Sequence, residues 1–412
     1  MRVDGDGRDG FVDHNRFRVR SSGRCFLVTH SRDKLMKRDD STDEAILPQG
    51  AGNIERFLAL HEFEAEARQR LPRAVYEYVA GGAGDEYSIR ANEESYQKIF
   101  LRPRVLRSVT PVDLGQELYG KPLPAPVLLA PAAYQRLMHP EGELASVQGA
   151  NRHGVPFVLS SNGTVSMEEI TAVPGARCWF QIYVQGDRGF TRDSIARVEA
   201  AGCEAVCMTV DTPVLGFRPR QLRAGFSIPA DVPLPHAARL RAASDPGRHS
   251  AVTWHDVDWL RSVVKSKLLL KGVLHPADAE LAIQAGVDGI IVSNHGGRNL
   301  DTIIPPIEAL PDITQQVAGR VPLLIDGGIR RGTDALKALL RGANAVLIGR
   351  PYLYALAGAG ADGVARCLSL LIEELRLALA LVGAASLRDL NSDVEWPPPA
   401  ALGSRAPHGG PF

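Results

Sequence analysis

The 412-residue chain lacks an excess of charge of either sign, with 47 Lys+Arg against 47 Asp+Glu. Such a balance gives no long-range attraction to nucleic acid or to an anionic membrane surface, so neither is expected as a partner. Cysteine is scarce as well. Cys25, Cys178, Cys203, Cys207 and Cys367 form no CxxC pair and no His/Cys cluster at zinc spacing, which argues against a disulfide scaffold and a metal site. No apolar run approaches the roughly 18 residues of a membrane-spanning helix. The most apolar late segment, LSLLIEELRLALALVG, is broken by Glu373, Glu374 and Arg376 and reads as a packed helix. The odd cysteine count and the absence of a secretory leader pattern point to a reducing cytoplasm.

The ends differ from the middle. Residues 1–52 are rich in Arg, Asp, Gly and Ser with little apolar periodicity, which predicts a disordered arm. A Pro/Gly-rich tail, EWPPPAALGSRAPHGGPF, is expected to be loose over 394–412. Between them, eight short apolar runs alternate with helical patterns: APVLLAP, PFVLSS, CWFQIYV, AVCMTVD, KLLLKGV, GIIVSN, VPLLIDG and AVLIGRP. Continuous apolar strands, each followed by a helix, predict a parallel (β/α)8 TIM barrel as a single domain over 53–393. In that fold the carboxyl ends of the strands form one face, and the polar residues of these runs gather there.

Two strand ends are built for a phosphate. In IDGGIRRGTD, Gly327 and Gly328 allow close backbone approach, the next helix offers free N–H groups, and Arg330 adds charge. In LIGRP, Gly349 and Arg350 repeat the device one strand later. The literal G-x-G-x-x-G at Gly358, Gly360 and Gly363 follows no strand, so it reads as a helix connection rather than a dinucleotide site.

SNHGGRNLD, at the end of the sixth run, carries titratable His295 and, three residues on, Arg298, suited to a substrate carboxylate. Arg218 follows the fourth run in TVDTPVLGFR. Asp211 in that segment either orients an imidazolium or caps a turn. Lys271, ending LLLKG, is expected to face an anion, since burial without one would be costly.

Together SNHGGRNLD, TVDTPVLGFR, LLLKG, DGGIRRGTD and LIGRP resemble the FMN-dependent α-hydroxy-acid oxidase and dehydrogenase family. LPRAVYEYVAGGAGDE and APAAYQRLMHPEGE extend the likeness toward the start of the barrel. The resemblance implies FMN with its phosphate at Asp326, Gly327, Gly328, Ile329 and Arg330 and at Gly349 and Arg350. The ring would rest on the backbone of Pro131, Ala132 and Ala133, with Ser160, Gln181 and Thr209 as partners and Lys271 and Ser293 at its N1 and O2 edge. It further implies a substrate carboxylate held by Arg298 and Arg218 with Tyr78 and Tyr183, and His295, paired with Asp211, as the base. Asn162 stands where many members carry an aromatic residue, Ala132 replaces a frequent threonine, and Asn299 replaces the usual glutamine. Tyr134 and the space beside Asn162 suggest room for a larger, even aromatic, substrate side chain.

The expected activity is oxidation of an (S)-2-hydroxy acid to the 2-oxo acid, by a homotetramer as the family implies. The acceptor is O2, giving peroxide, or else a quinone or cytochrome. The short segment between Phe226 and Trp254 favours O2, because membrane-attached members carry a long insertion there. An FMN-barrel isopentenyl-diphosphate isomerase would share the phosphate site but would not need Arg218, Arg298 and His295 around a carboxylate. A flavin-binding interaction module would not need the complete catalytic set.

Overall fold

The computed structural model describes residues 54–237 and 252–396. The arm expected over 1–52 and the tail beyond Trp396 lie outside the described residues.

All eight apolar runs are strands: β1 (Val127–Leu129), β2 (Phe157–Ser160), β3 (Cys178–Ile182), β4 (Ala205–Thr209), β5 (Lys267–Val273), β6 (Gly289–Val292), β7 (Leu323–Ile325) and β8 (Ala345–Ile348). Each pairs in parallel with the next, and β8 pairs with β1, so the sheet closes into a barrel. Helices packed outside it explain why both faces of every strand are apolar. Val127, Leu129, Phe157, Leu159, Phe180, Val206 and Met208 face the helices. Leu128, Val158, Trp179, Cys207, Leu269, Ile291, Leu324 and Leu347 fill the barrel interior.

Because side chains alternate along a strand, the position two residues beyond each interior residue also faces inward. Those positions are Ala130, Ser160, Gln181, Thr209, Lys271, Ser293, Asp326 and Gly349. The barrel thus changes from an apolar plug to a polar floor within one step at its carboxyl end. An antiparallel hairpin, Gln116–Leu118 with Lys121–Leu123, adds Leu118 and Leu123 to the interior cluster. Its three-residue strands are too short to show a periodic signal.

Three helices precede the barrel: α1 (Glu62–Arg70), α2 (Arg73–Ala80) and α3 (Tyr87–Gln97). Buried reciprocal amide bonds join Asn92 of α3 to Asn294 after β6, at 2.9 and 2.7 Å. The last helix runs Arg350–Leu381 and includes the apolar segment read as a packed helix. It kinks at Ala359 and Gly360, inside the glycine triplet read as a helix connection. Glu395 and Trp396 correct the expected tail boundary: they pair with Phe100 and Leu101 as a short antiparallel ladder. Burial of the Glu395 carboxylate against Arg341, 2.6 Å away, holds them there.

Candidate active site

The polar floor is a chain of hydrogen bonds. Ser160 donates to Gln181 Oε1 at 3.1 Å, and Gln181 Nε2 donates to Thr209 Oγ1 at 2.8 Å. Beside them, Lys271 Nζ donates to Ser293 Oγ and pairs with Asp326 Oδ2, both at 2.7 Å. Lys271 is 4% exposed, so its charge depends on that pair. Burial alone would pull the ammonium down, yet Asp326 and Asp211 hold it above its ordinary range. Asp326, expected in the phosphate segment, therefore turns one carboxylate oxygen to Lys271; its Oδ1 is buried without a protein partner.

A cavity of about 1460 Å3 opens above the floor and runs from Pro131, Ala132 and Ala133 to the glycine-rich turns. Gly327 and Gly328 have φ of +95° and +84°, a region that favours glycine. At Gly328 a Cβ would also lie 2.1 Å from the Asn92 carbonyl oxygen. Packing against α3 thus demands this glycine independently of any ligand. Ile329 is buried, and Arg330 at the cavity wall pairs with Glu93 at 2.8 Å. Arg350, from the turn after Gly349, donates to the carbonyls of Val79, Gly296 and Gly81 at 3.0, 2.9 and 3.0 Å.

The segment after β6 carries the histidine. His295 has φ +57°, followed by Gly296 and Gly297 at +62° and +74°. A non-glycine residue in that region is strained and needs surrounding support. Ser293 Oγ accepts from the His295 N–H at 3.1 Å, and Asn294 accepts from the Gly297 N–H. The turn and the histidine are one device. His295 Nδ1 lies 2.8 Å from Asp211 Oδ1, across from β4. Burial would push the Asp211 carboxyl up, but His295, then Lys271 and Thr212, hold it below the usual carboxylate range. The turn-residue reading of Asp211 gives way to an imidazole partner.

Besides Arg330, three guanidinium groups line the cavity, those of Arg218, Arg298 and Arg350, and none of these three is in an ion pair among the described residues. Arg298 Nη1 donates to the carbonyls of Tyr78 and Gly81, both at 2.8 Å, and its guanidinium lies 5.1 Å from the Tyr78 ring centre. Arg218 donates to the Arg298 carbonyl at 2.9 Å and to Asn299 Oδ1 at 3.2 Å. Burial, then the Arg218 charge, pulls Arg298 down to about 10; burial, then Arg298, does the same to Arg350. Such a cluster is costly in isolation and suits an anion. The Tyr78 and Tyr183 phenols line the same space and are pushed up by burial.

Tyr134 (φ +60°) and Asn162 sit at one wall, joined by a 3.2 Å backbone bond. Sequence reading missed an apolar part of the wall: Leu215, Phe226, Ile228 and Leu234 also line the cavity. Phe226 stacks on Tyr78 with ring centres 4.2 Å apart and planes 10° from parallel. The apolar alternation in GFSIP was the available signal.

An FMN fits these residues. The cavity pairs an anion cradle of positive-φ glycines and arginines with a buried cation and hydrogen-bonding floor. Asp326 Oδ1, an orphaned buried acceptor, suits a polyol hydroxyl. Fold and site together define a flavin-type TIM-barrel enzyme for a small anionic substrate. The chain belongs to the FMN-dependent dehydrogenase family, whose profile matches residues 67–397. It is 42% identical to a 2-hydroxyacid oxidase of Dictyostelium discoideum, over 83% of this chain and 91% of that protein. It is 43% identical to an L-lactate oxidase of Nostoc sp., over 81% of this chain and 96% of that protein. Among solved structures, a mandelate oxidase with (S)-4-hydroxymandelic acid superposes with a TM-score of 0.78 at 42% identity, covering 81% and 97% of the two chains.

Proposed function

We propose that the protein oxidises an (S)-2-hydroxy acid to the 2-oxo acid with FMN, and that O2 reoxidises the flavin to give hydrogen peroxide. The observation that carries this reading is Arg218 and Arg298, half-buried and without carboxylate partners among the described residues, beside the His295–Asp211 pair.

In this reading Arg298 and Arg218 bind the substrate carboxylate, with the Tyr78 and Tyr183 hydroxyls as further donors. That places the α-carbon and its hydroxyl before His295, which removes one proton. Asp211 holds Nδ1 and stabilises the imidazolium that forms. FMN, when bound, supplies the two-electron acceptor. Gly327, Gly328, Ile329, Arg330, Gly349 and Arg350 would hold its phosphate end. Pro131, Ala132 and Ala133 would back the ring; Ser160, Gln181, Thr209, Lys271 and Ser293 would bond its polar edge. Lys271 keeps a positive charge where the cofactor gains electrons, and Asp326 fixes that lysine.

The apolar lining of Leu215, Phe226, Ile228 and Leu234, together with Tyr134 and Asn162, supports a substrate side chain larger than that of glycolate. Four buried free thiols among the described residues support a reducing, cytoplasmic setting. Exposed Val214, Phe217, Leu222, Leu300 and Ile304 support self-association as a homotetramer, which size-exclusion chromatography with light scattering tests.

The test is one substrate panel of glycolate, lactate, mandelate and a long-chain 2-hydroxy acid, under air and without it. Flavin bleaching without air, and stoichiometric peroxide with it, are expected. Bleaching without rapid reoxidation in air would replace the oxidase with a quinone- or cytochrome-linked dehydrogenase; no bleaching by any of the four would overturn the reading.

A further inference from the structure

Asn299, one residue past Arg298, does not line the cavity, yet the two ends of its amide meet the two halves of the site. Arg218 Nη2, which can only donate, lies 3.2 Å from Asn299 Oδ1. That contact fixes which end of the amide is the oxygen. Nδ2 then faces Thr212 Oγ1 at 2.7 Å, the Asp211 carbonyl at 2.9 Å and Asp211 Oδ1 at 3.3 Å. The Thr212 hydroxyl, accepting from Nδ2, donates to Asp211 Oδ1 at 3.0 Å. Asp211 Oδ1 therefore receives His295, Thr212 and Asn299 together.

The backbone is sealed at the same point. A Cβ on Gly216 would lie 2.4 Å from the Arg298 carbonyl oxygen and 2.6 Å from the Asn299 Cα, and Arg218 Nε donates to that same Arg298 carbonyl. Only glycine lets the loops after β4 and β6 close this tightly.

We propose that Asn299 is a positioning residue that locks the carboxylate-binding Arg218 and the base-orienting Asp211 into one unit. The substrate carboxylate and the carbon losing its proton then meet their partners at a fixed separation. A shorter amide than the family's usual glutamine serves because both contacts form directly. The inference rests on the oxidation proposed above.

The experiment uses the FMN-loaded full chain with Asn299→Leu, Asn299→Gln, Asp211→Asn, Arg218→Lys and their pairs. Two quantities are read: the limiting rate of anaerobic flavin reduction, and the dissociation constant of the 2-oxo acid from the flavin absorbance change. Asn299→Leu is expected to weaken binding and slow reduction, each by about tenfold, and Asn299→Gln to recover both to within about threefold. Beside Asp211→Asn, Asn299→Leu should slow reduction by less than about twofold more; beside Arg218→Lys, its effect on binding should shrink similarly. Effects that simply multiply, or equal losses in the leucine and glutamine variants, would overturn the proposal. If the parent reduces no flavin with any 2-hydroxy acid, the functional reading fails separately. The Asn299/Asp211 cycle in melting temperature then decides the coupling, and additive losses refute it.

Discussion

His295 Nδ1 and Asp211 Oδ1 lie 2.8 Å apart, although 84 residues separate them in the chain. Barrel closure brings the ends of β4 and β6 to one face, and the positive φ of His295 turns its ring toward the carboxylate. A base with an anionic partner stabilises its own protonated form, which is what proton removal creates.

Replacing His295 with Ala should leave yellow, FMN-loaded protein and slow anaerobic flavin reduction by roughly 10²- to 10⁴-fold. Stopped-flow absorbance measures it. Reduction at the parent rate would remove His295 from the role of base.

Lys271 and Asp326 are a buried pair, so removing one partner should cost more than removing both. Lys271→Met strands the Asp326 carboxylate, at roughly 3–5 kcal/mol. Adding Asp326→Asn should restore part of the lost melting temperature, and calorimetry on the three variants reads the sign directly.

Gly328→Ala meets two penalties, a φ of +84° and a Cβ 2.1 Å from the Asn92 oxygen. Gly120, with φ +74° and open space around its Cβ position, meets only the first. Gly120→Ala should cost about 1–2 kcal/mol, and Gly328→Ala clearly more, with weakened FMN retention. Thermal melts and flavin-to-protein absorbance ratios test the pair.

The 226–237 stretch, which supplies Phe226 and Leu234 to the cavity wall, also carries His236. His236 Nε2 accepts from the Met167 N–H at 3.0 Å and so must be unprotonated. Burial, then Arg197, pulls this histidine down to about 4. Its ordinary value is about 6.5, so the unfolded chain takes up the proton first as pH falls. The contribution is complete above about 6.5 and declines toward pH 4, by on the order of 3 kcal/mol. His236→Gln should flatten the melting-temperature profile in that window; an unchanged slope would remove His236 as its source.

The eight strands were legible because each carries its signal locally, as a short apolar run buried on both faces. Gln181, Thr209, Lys271, Ser293, His295 and Arg298 were legible in the same way, since polar letters at the ends of such runs share a face in a closed parallel barrel; Tyr78, on α2, came only through the family resemblance. The preceding hairpin was not, because three residues per strand show no period. The apolar wall from Phe226 was missed because its residues acquire meaning only where the loop folds back over Tyr78.

The sequence by itself determined the barrel, the glycine-rich turns and the presence of His295, Arg298, Arg218 and Lys271 at one end. Tertiary structure alone decided the pairings. Asp326 became the partner of Lys271, Gly328 a requirement of Asn92, and Asn299 the link between two loops, while the His295–Asp211 pairing that the resemblance implied took its 2.8 Å geometry from the fold. Elements follow from neighbours a few residues apart. Pairings between residues more than 50 positions apart depend on strand register and loop closure, which local sequence does not encode.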